Sequence, residues 1–411
     1  MLNQNVTSRF WYEKNDRQVT GESVAPIDWQ EDSSTSSGNL FQRQWKKRRT
    51  RKICGLYDTH LATRDQDLEV FSMPDLVEEK SLSSTSFENQ IVHLHWIAFL
   101  ADLPSFFRSI PTSSPIVWTL HDMNPLTGGC HYSTGCQRFQ TGCGHCPQVI
   151  QPGSNDVSRH SFKVKQRAYR NRELNIVTPS RWLLELAKSS SVFPASTRFH
   201  HIRLGFDLKQ LVPLPKTQAR AELGFGDSKL VIGFGAESIA NRRKGFDLLL
   251  QALAKLPDKS NLQCAVFGSG QIPDTGCELP EIRELGFIND PKLMTQFYSA
   301  CDLVVVPSRE DNQPQVGLEA MACGTPVVGF DAGGISEYIE PGKTGWLAKP
   351  EDAADLAAQI NKLTQATTDD RMAMSNSCRK LMEQEFDIVA QSAKYHSLYQ
   401  QLLPTGCQRV A

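Results

Sequence analysis

The sequence predicts an α/β protein of two doubly wound domains facing a cleft, and three observations carry that prediction. The chain has 411 residues, where one domain takes roughly 100–200. From Asn89 onward, short apolar runs rich in β-branched residues alternate with helical stretches, the pattern of parallel βαβ units. The alternation breaks at Pro213 and Pro215, which read as a linker. The expected domains are 1–212 and 213–385, with a terminal stretch, 386–411, packing back on the first.

Taken in order, the first 85 or so residues give little periodicity. Ser33 to Gly38 reads as a loop, and Lys46, Lys47, Arg48, Arg49, Arg51 and Lys52 form a basic run. Strands of the first domain are expected at Gln90–Trp96, Pro115–Leu120 and Asn175–Thr178. In the second, strands are expected at Leu230–Phe234, Gln263–Phe267, Leu303–Val306, Pro326–Phe330 and Gly345–Leu347. Helices are expected at Phe246–Leu256, Pro291–Ala300, Val316–Ala322 and Asp352–Leu363. A last amphipathic helix, Ile388–Leu403, has no strand after it and is free to pack elsewhere.

Composition narrows the class. Forty-four Lys and Arg against 45 Asp and Glu leave a net charge of −1, which argues against a protein built around nucleic acid. With 40% hydrophobic and 22% charged residues, the chain resembles an ordinary folded protein. No apolar run reaches the roughly 18 residues of a spanning helix, and the amino terminus has no signal-peptide pattern, so the expected location is the cytoplasm. Of 11 cysteines, seven are scattered and four cluster at Cys130, Cys136, Cys143 and Cys146.

The most informative segment is Val306-Pro-Ser-Arg-Glu-Asp-Asn-Gln-Pro-Gln-Val-Gly-Leu-Glu. An apolar strand ends at Pro307, a polar loop follows, and a helix begins near Gln315. In open α/β sheets, ligands bind at that edge, and a helix amino terminus suits a phosphate. Glu319, one turn into the helix, could accept from ribose hydroxyls, and Asp311 in the loop from a sugar. Acidic residues at a solvated helix start are the plain alternative.

This segment resembles the retaining nucleotide-sugar glycosyltransferases of family four, the group 1 glycosyl transferases, in particular polysaccharide-type members with an Asp-Asn-x-Pro loop. The family pattern is an acidic residue, seven others, then Glu; here it is Asp311 and Glu319, with Asp where most members have Glu. The resemblance implies a GT-B fold of two Rossmann-like domains. It extends to Gly233-Phe-Gly-Ala-Glu and Arg242-Arg243-Lys244-Gly245-Phe246-Asp247, similar to the family's phosphate loop. Lys244 matches the lysine that contacts the donor diphosphate. Ala236 replaces the usual arginine, so Arg243 is expected to supply the second cation. Gln313, Gln315 and Val316 complete the expected donor site. His121, with Asp122 at the end of a strand, matches a family histidine that orients donor and acceptor. The departing diphosphate would then deprotonate the acceptor, and the cations and helix dipole would stabilise the leaving group; no cofactor is required.

The implied partners are a nucleoside diphosphate sugar and a glycan or lipid-linked acceptor in surface polysaccharide synthesis. An epimerase or sucrose-type synthase on the same fold, or an inactive sugar-nucleotide-binding scaffold, are the alternatives. The cysteine cluster, Cys130-x5-Cys136-x6-Cys143-x2-Cys146, could build a structural zinc site, or be a loop with buried thiols. The basic run beside Trp45 suits an anionic membrane surface, or is a solvated helix face. A doubly wound domain opens on a strand and a glycine turn. Met1 to Tyr12 has no glycine, and Val6 to Tyr12 resembles the family's second strand, so the first unit is expected to lack its first strand and helix.

Overall fold

A computed structural model describes residues 10–12, 24–26, 29–31, 40–65, 68–75, 80–82, 90–226 and 229–403. The expected loop at 33–38, the beginning of the strand expected from Val6, and the end of the terminal stretch, 404–411, lie outside the described residues. The chain divides into two compact units: Met1–Thr178 with Leu184–His201 and Ser392–Ala411, and Pro179–Leu183 with Ile202–Gln391.

In the first unit, β1 (Phe10–Tyr12) pairs in parallel with β2 (Val24–Pro26), and β3 (Trp29–Glu31) pairs antiparallel with β4 (Lys80–Leu82). Between β3 and β4 runs α1 (Leu40–His60), a 21-residue helix. Its main sheet is four-stranded and parallel in the order β5 (Val92–Leu94), β6 (Ile116–Thr119), β7 (Leu174–Thr178), β8 (Arg198–His201). The crossovers contain α2 (Leu103–Ser109), α3 (Val157–Tyr169) and α4 (Arg181–Ser189). Asp102 and Asp156 start α2 and α3 by accepting from Ser105 N and from Ser158 N and Arg159 N, as N-caps do. All of β6 is buried, and Phe107, Trp118 and Tyr169 pack as an aromatic cluster behind it.

The second unit begins with α5 (Lys216–Leu223), whose N-cap is Pro215. The proline expected to mark a linker thus starts a helix, a use its fixed φ favours. Then come β9 (Leu230–Ser238), α6 (Phe246–Ala254), β10 (Leu262–Ser269), β11 (Glu281–Glu284), α7 (Pro291–Ala300), β12 (Leu303–Val306), α8 (Gln315–Ala322), β13 (Val327–Phe330), β14 (Gly345–Ala348), α9 (Ala353–Gln365) and α10 (Thr368–Glu385). The sheet is parallel throughout, in the order β11-β10-β9-β12-β13-β14.

Side chains alternate across this sheet. Leu303 and Val305 enter the core shared with α6 and α9, while Val304 and Val306 enter the one shared with α5, α7, α8 and α10. A strand buried on both faces must be apolar at every position, which is why Leu-Val-Val-Val was legible as one. The final helix, α11 (Ile388–Leu402), turns its Tyr395 and Tyr399 hydroxyls to Thr119 and His93 of the first unit, to which Ser392–Ala411 belongs.

Candidate functional site

In the second unit the strand order reverses at β9, with β10 and β11 on one side and β12 to β14 on the other. The crevice outside the carboxyl ends of β9 and β12 is where doubly wound sheets bind ligands. Two loops meet there. The loop after β9 carries a short 3₁₀ turn, Arg242–Lys244, started by the Asn241 side chain accepting from Arg243 N at 2.9 Å. The loop after β12 carries Pro307 to Pro314. Arg309 N donates to Arg243 O at 2.8 Å and joins them. Gly245 makes the approach feasible: its φ is +72°, and a Cβ there would lie 1.8 Å from Pro307 O.

This approach brings together three expected site residues. Arg243 donates from Nη1 to Asp311 Oδ2 at 2.8 Å and to Glu310 O at 3.1 Å. Lys244 Nζ donates to the same carboxylate oxygen at 2.7 Å. Burial alone would raise the Asp311 pKa, but Lys244 and Arg243 outweigh it and bring it down to about 2. Gly334 N donates to Asp311 O at 2.9 Å and holds the backbone of the loop. Beside them, Arg309 pairs with Asp247 at 2.7 Å and Glu351 at 2.9 Å.

The next turn presents the remaining residues. Gln315 is exposed and Val316 half-buried at the start of α8, whose Pro314 N-cap makes no side-chain cap bond. Glu319 accepts from the Tyr298 hydroxyl at 2.7 Å, and burial raises its pKa. Gln313 lies just before this helix. Its Oε1 accepts from Leu204 N at 3.1 Å and its Nε2 donates to Pro179 O at 3.2 Å, so the buried amide braces backbone within the unit.

In the first unit, His121 and Asp122 follow β6 as expected, and a set of groups that the sequence did not single out surrounds them. His95, just past β5, faces His121 with Nδ1 and Nε2 3.0 Å apart and the rings stacked. His93 lies under His95, bonded to Thr119 Oγ1 at 2.8 Å and Tyr399 OH at 2.6 Å. Burial lowers the pKa of all three histidines, to about 3 for His93 and about 4 for His95. Asp122 accepts from His131 at 2.7 Å, Asn124 N at 2.8 Å and Trp96 Nε1 at 3.0 Å. The signal for His93 and His95 was their two-residue spacing at a strand end, which puts both on one face.

Cys130, Cys136, Cys143 and Cys146 line one small cavity in the loop after β6. Among the described residues, no three His, Cys, Asp or Glu side chains are grouped to hold a metal ion. Hydrogen bonds hold the loop: Asp156 accepts from Cys146 N at 2.8 Å, and Ser158 Oγ accepts from Gly144 N at 2.9 Å. Burial pushes the Cys143 and Cys146 thiols up to about 12 and 11. The basic run lies on α1, where Arg49 pairs with the fully buried Asp102 at 2.7 Å while Lys47, Arg48, Arg51 and Lys52 are exposed. No helix among the described residues is long and apolar enough to cross a membrane.

Two parallel α/β units of this kind define the GT-B class of fold, and solved structures agree. Sucrose-phosphate synthase from Thermosynechococcus elongatus is similar with a TM-score of 0.54 and 23% identity, over 70% of this chain and 68% of that one. Anabaena HepE, solved in complex with UDP-glucose, is similar with a TM-score of 0.53 and 24% identity, over 70% and 72%. More particularly, residues 229–366 match the family model described as glycosyl transferases group 1. D-inositol 3-phosphate glycosyltransferase of Corynebacterium jeikeium is 30% identical over 259 residues, 59% of this chain and 60% of that enzyme. The chain thus spans less than two thirds of the length of the curated relatives it matches.

Proposed function

We propose that the protein is a retaining glycosyltransferase that moves a hexosyl group from a nucleoside diphosphate sugar to a glycan or lipid-linked acceptor in surface polysaccharide synthesis. The observation that carries this reading is the Arg243–Lys244 pair gathered around Asp311 at the strand-order reversal. Two adjacent cations beside the start of a helix suit a diphosphate. Glu319, oriented by Tyr298, suits ribose hydroxyls. The match over 229–366 covers these residues, and HepE, of the same fold, is solved with UDP and UDP-glucose, which supports a nucleotide-sugar donor.

In this reading the diphosphate draws Arg243 and Lys244 from Asp311, whose carboxylate then accepts from a donor-sugar hydroxyl. Gln315 and Val316 present backbone N–H groups of α8 to the phosphates. The cations and the helix start stabilise the charge that develops on the departing diphosphate, which takes the acceptor proton on the face it leaves. His121, whose pKa burial lowers, orients the reacting sugars. The exposed basic face of α1 supports contact with anionic lipid near a lipid-linked acceptor.

Calorimetric titration with UDP, GDP, ADP and dTDP tests the donor site. At least one should bind, and Lys244→Ala and Glu319→Ala should each weaken it by about 1.5–3 kcal/mol, the range for charge-assisted hydrogen bonds. Unchanged affinity in both variants would remove the site assignment.

A further inference from the structure

At the carboxyl ends of β5 and β6 the first unit exposes two large aromatic rings that its fold holds still. Trp96 is 52% exposed and Phe99 50%, against the usual burial of such side chains. Trp96 Nε1 donates to Asp122 Oδ2 at 3.0 Å, and Asp122 is itself fixed by His131 and Asn124 N. Phe99 stacks on His131, ring planes 7° apart and centroids 6.3 Å apart. Phe99 also adopts a φ of +64°, a conformation that costs a bulky residue about 1–3 kcal/mol and is retained where surroundings enforce it. The two rings are 6.0 Å apart and tilted by 58°, forming an open angle.

The rings border a recess of about 460 Å³ counting its open mouth, which His95, His121 and Asp122 line too. A pyranose has the matching chemistry: its axial C–H groups form an apolar face for an aromatic ring, and its hydroxyl rim needs imidazole and carboxylate partners. We propose that Trp96 and Phe99 are the binding platform for a pyranose ring of the acceptor, holding it beside His121. The proposal rests on the transferase reading for the word acceptor, while the binding itself does not.

Saturation-transfer NMR on the full chain tests it, with the methyl pyranosides of glucose, galactose and mannose and with octyl β-glucoside as probes. Ring C–H protons of at least one methyl pyranoside should be saturated, with the signal at least tenfold weaker in Trp96→Ala and Phe99→Ala and retained in part in Trp96→Phe. Titration of each variant with the nucleoside diphosphate that binds wild type, which reads the other unit, should match wild type and so exclude a misfolded chain. No ring saturation with any methyl pyranoside, survival of the signal in both alanine variants, or saturation confined to the octyl chain would each overturn the platform; the last would make it a lipid-tail site. Failure to turn over any of the UDP-, GDP-, ADP- and dTDP-hexoses with intact pyranoside binding would instead count against the transferase reading alone.

Discussion

Replacing Asp311 by Asn takes one negative charge from a site where two cations share a single oxygen. The contacts are 2.8 Å to Arg243 and 2.7 Å to Lys244. At an effective dielectric of about 20, each corresponds to roughly 6 kcal/mol of Coulomb attraction before desolvation is set against it. Removing one partner from a buried ion pair costs about 3–5 kcal/mol net. Asn keeps the shape and one acceptor oxygen, and Lys244 is partly exposed, so a loss near the lower end, about 3 kcal/mol, is expected in denaturant unfolding of the ligand-free protein. Binding should move the other way. On the proposed donor site a diphosphate would compete with Asp311 for both cations in the wild type and would not in Asp311→Asn. Calorimetry should show the nucleoside diphosphate that binds wild type held about 1.5–3 kcal/mol more tightly, roughly 10–150-fold, with sugar transfer reduced because the proposed hydroxyl acceptor would have lost its charge. Affinity for that nucleotide unchanged or weaker in a folded variant would refute the reasoning, because the carboxylate would then not be competing for the proposed phosphate cations.

Three further outcomes are expected. Gly245→Ala places a Cβ 1.8 Å from Pro307 O at a φ of +72°; it should destabilise by about 2–4 kcal/mol in denaturant unfolding and weaken binding of whichever nucleoside diphosphate wild type holds, as the two loops separate. Tyr298→Phe removes the hydroxyl that holds Glu319 and should reduce affinity for that nucleotide by about 0.5–1.5 kcal/mol, measured by calorimetry. His93 and His95, lowered from 6.5 to about 3 and about 4, are neutral in the folded chain where the unfolded chain binds protons. Stability should therefore fall as pH drops from about 6.5 toward 4, and His93→Gln should flatten that part of the thermal-melt pH profile.

The second unit was legible because its strands are buried on both faces and therefore apolar at consecutive positions, as in Leu303–Val306, with helix signals between them. Pairing β10 with β11 was not legible: Glu-Ile-Arg-Glu is an edge strand with three exposed positions, and carries no apolar run. Helix α10 was missed for a related reason, since only Met374, Cys378 and Met382 are buried among its 18 residues. Helix α1 hid behind its basic run, whose buried counterpart, Asp102, lies 53 residues from Arg49. In the site, Lys244, Arg243, Asp311 and Glu319 could be named from local spacing. That Asp311 binds both cations depends on two loops meeting across 67 residues, and that Tyr298 holds Glu319 depends on α7 meeting α8 across 21, which spacing does not encode. The bonds of Gln313 to Leu204 and Pro179, more than 100 residues earlier, were likewise beyond the reach of local spacing.

The central claim, that the cation pair and Glu319 hold a nucleoside diphosphate sugar whose glycosyl bond the protein breaks, is tested most directly by nucleotide release. Wild type, Lys244→Ala and Glu319→Ala would be incubated with UDP-, GDP-, ADP- and dTDP-hexoses, and the freed nucleoside diphosphate quantified with and without added methyl pyranosides. Wild type should release nucleoside diphosphate from at least one donor, and both variants at least tenfold less. Binding and release by none of them, or release from a donor that both variants sustain at the wild-type rate, would contradict it.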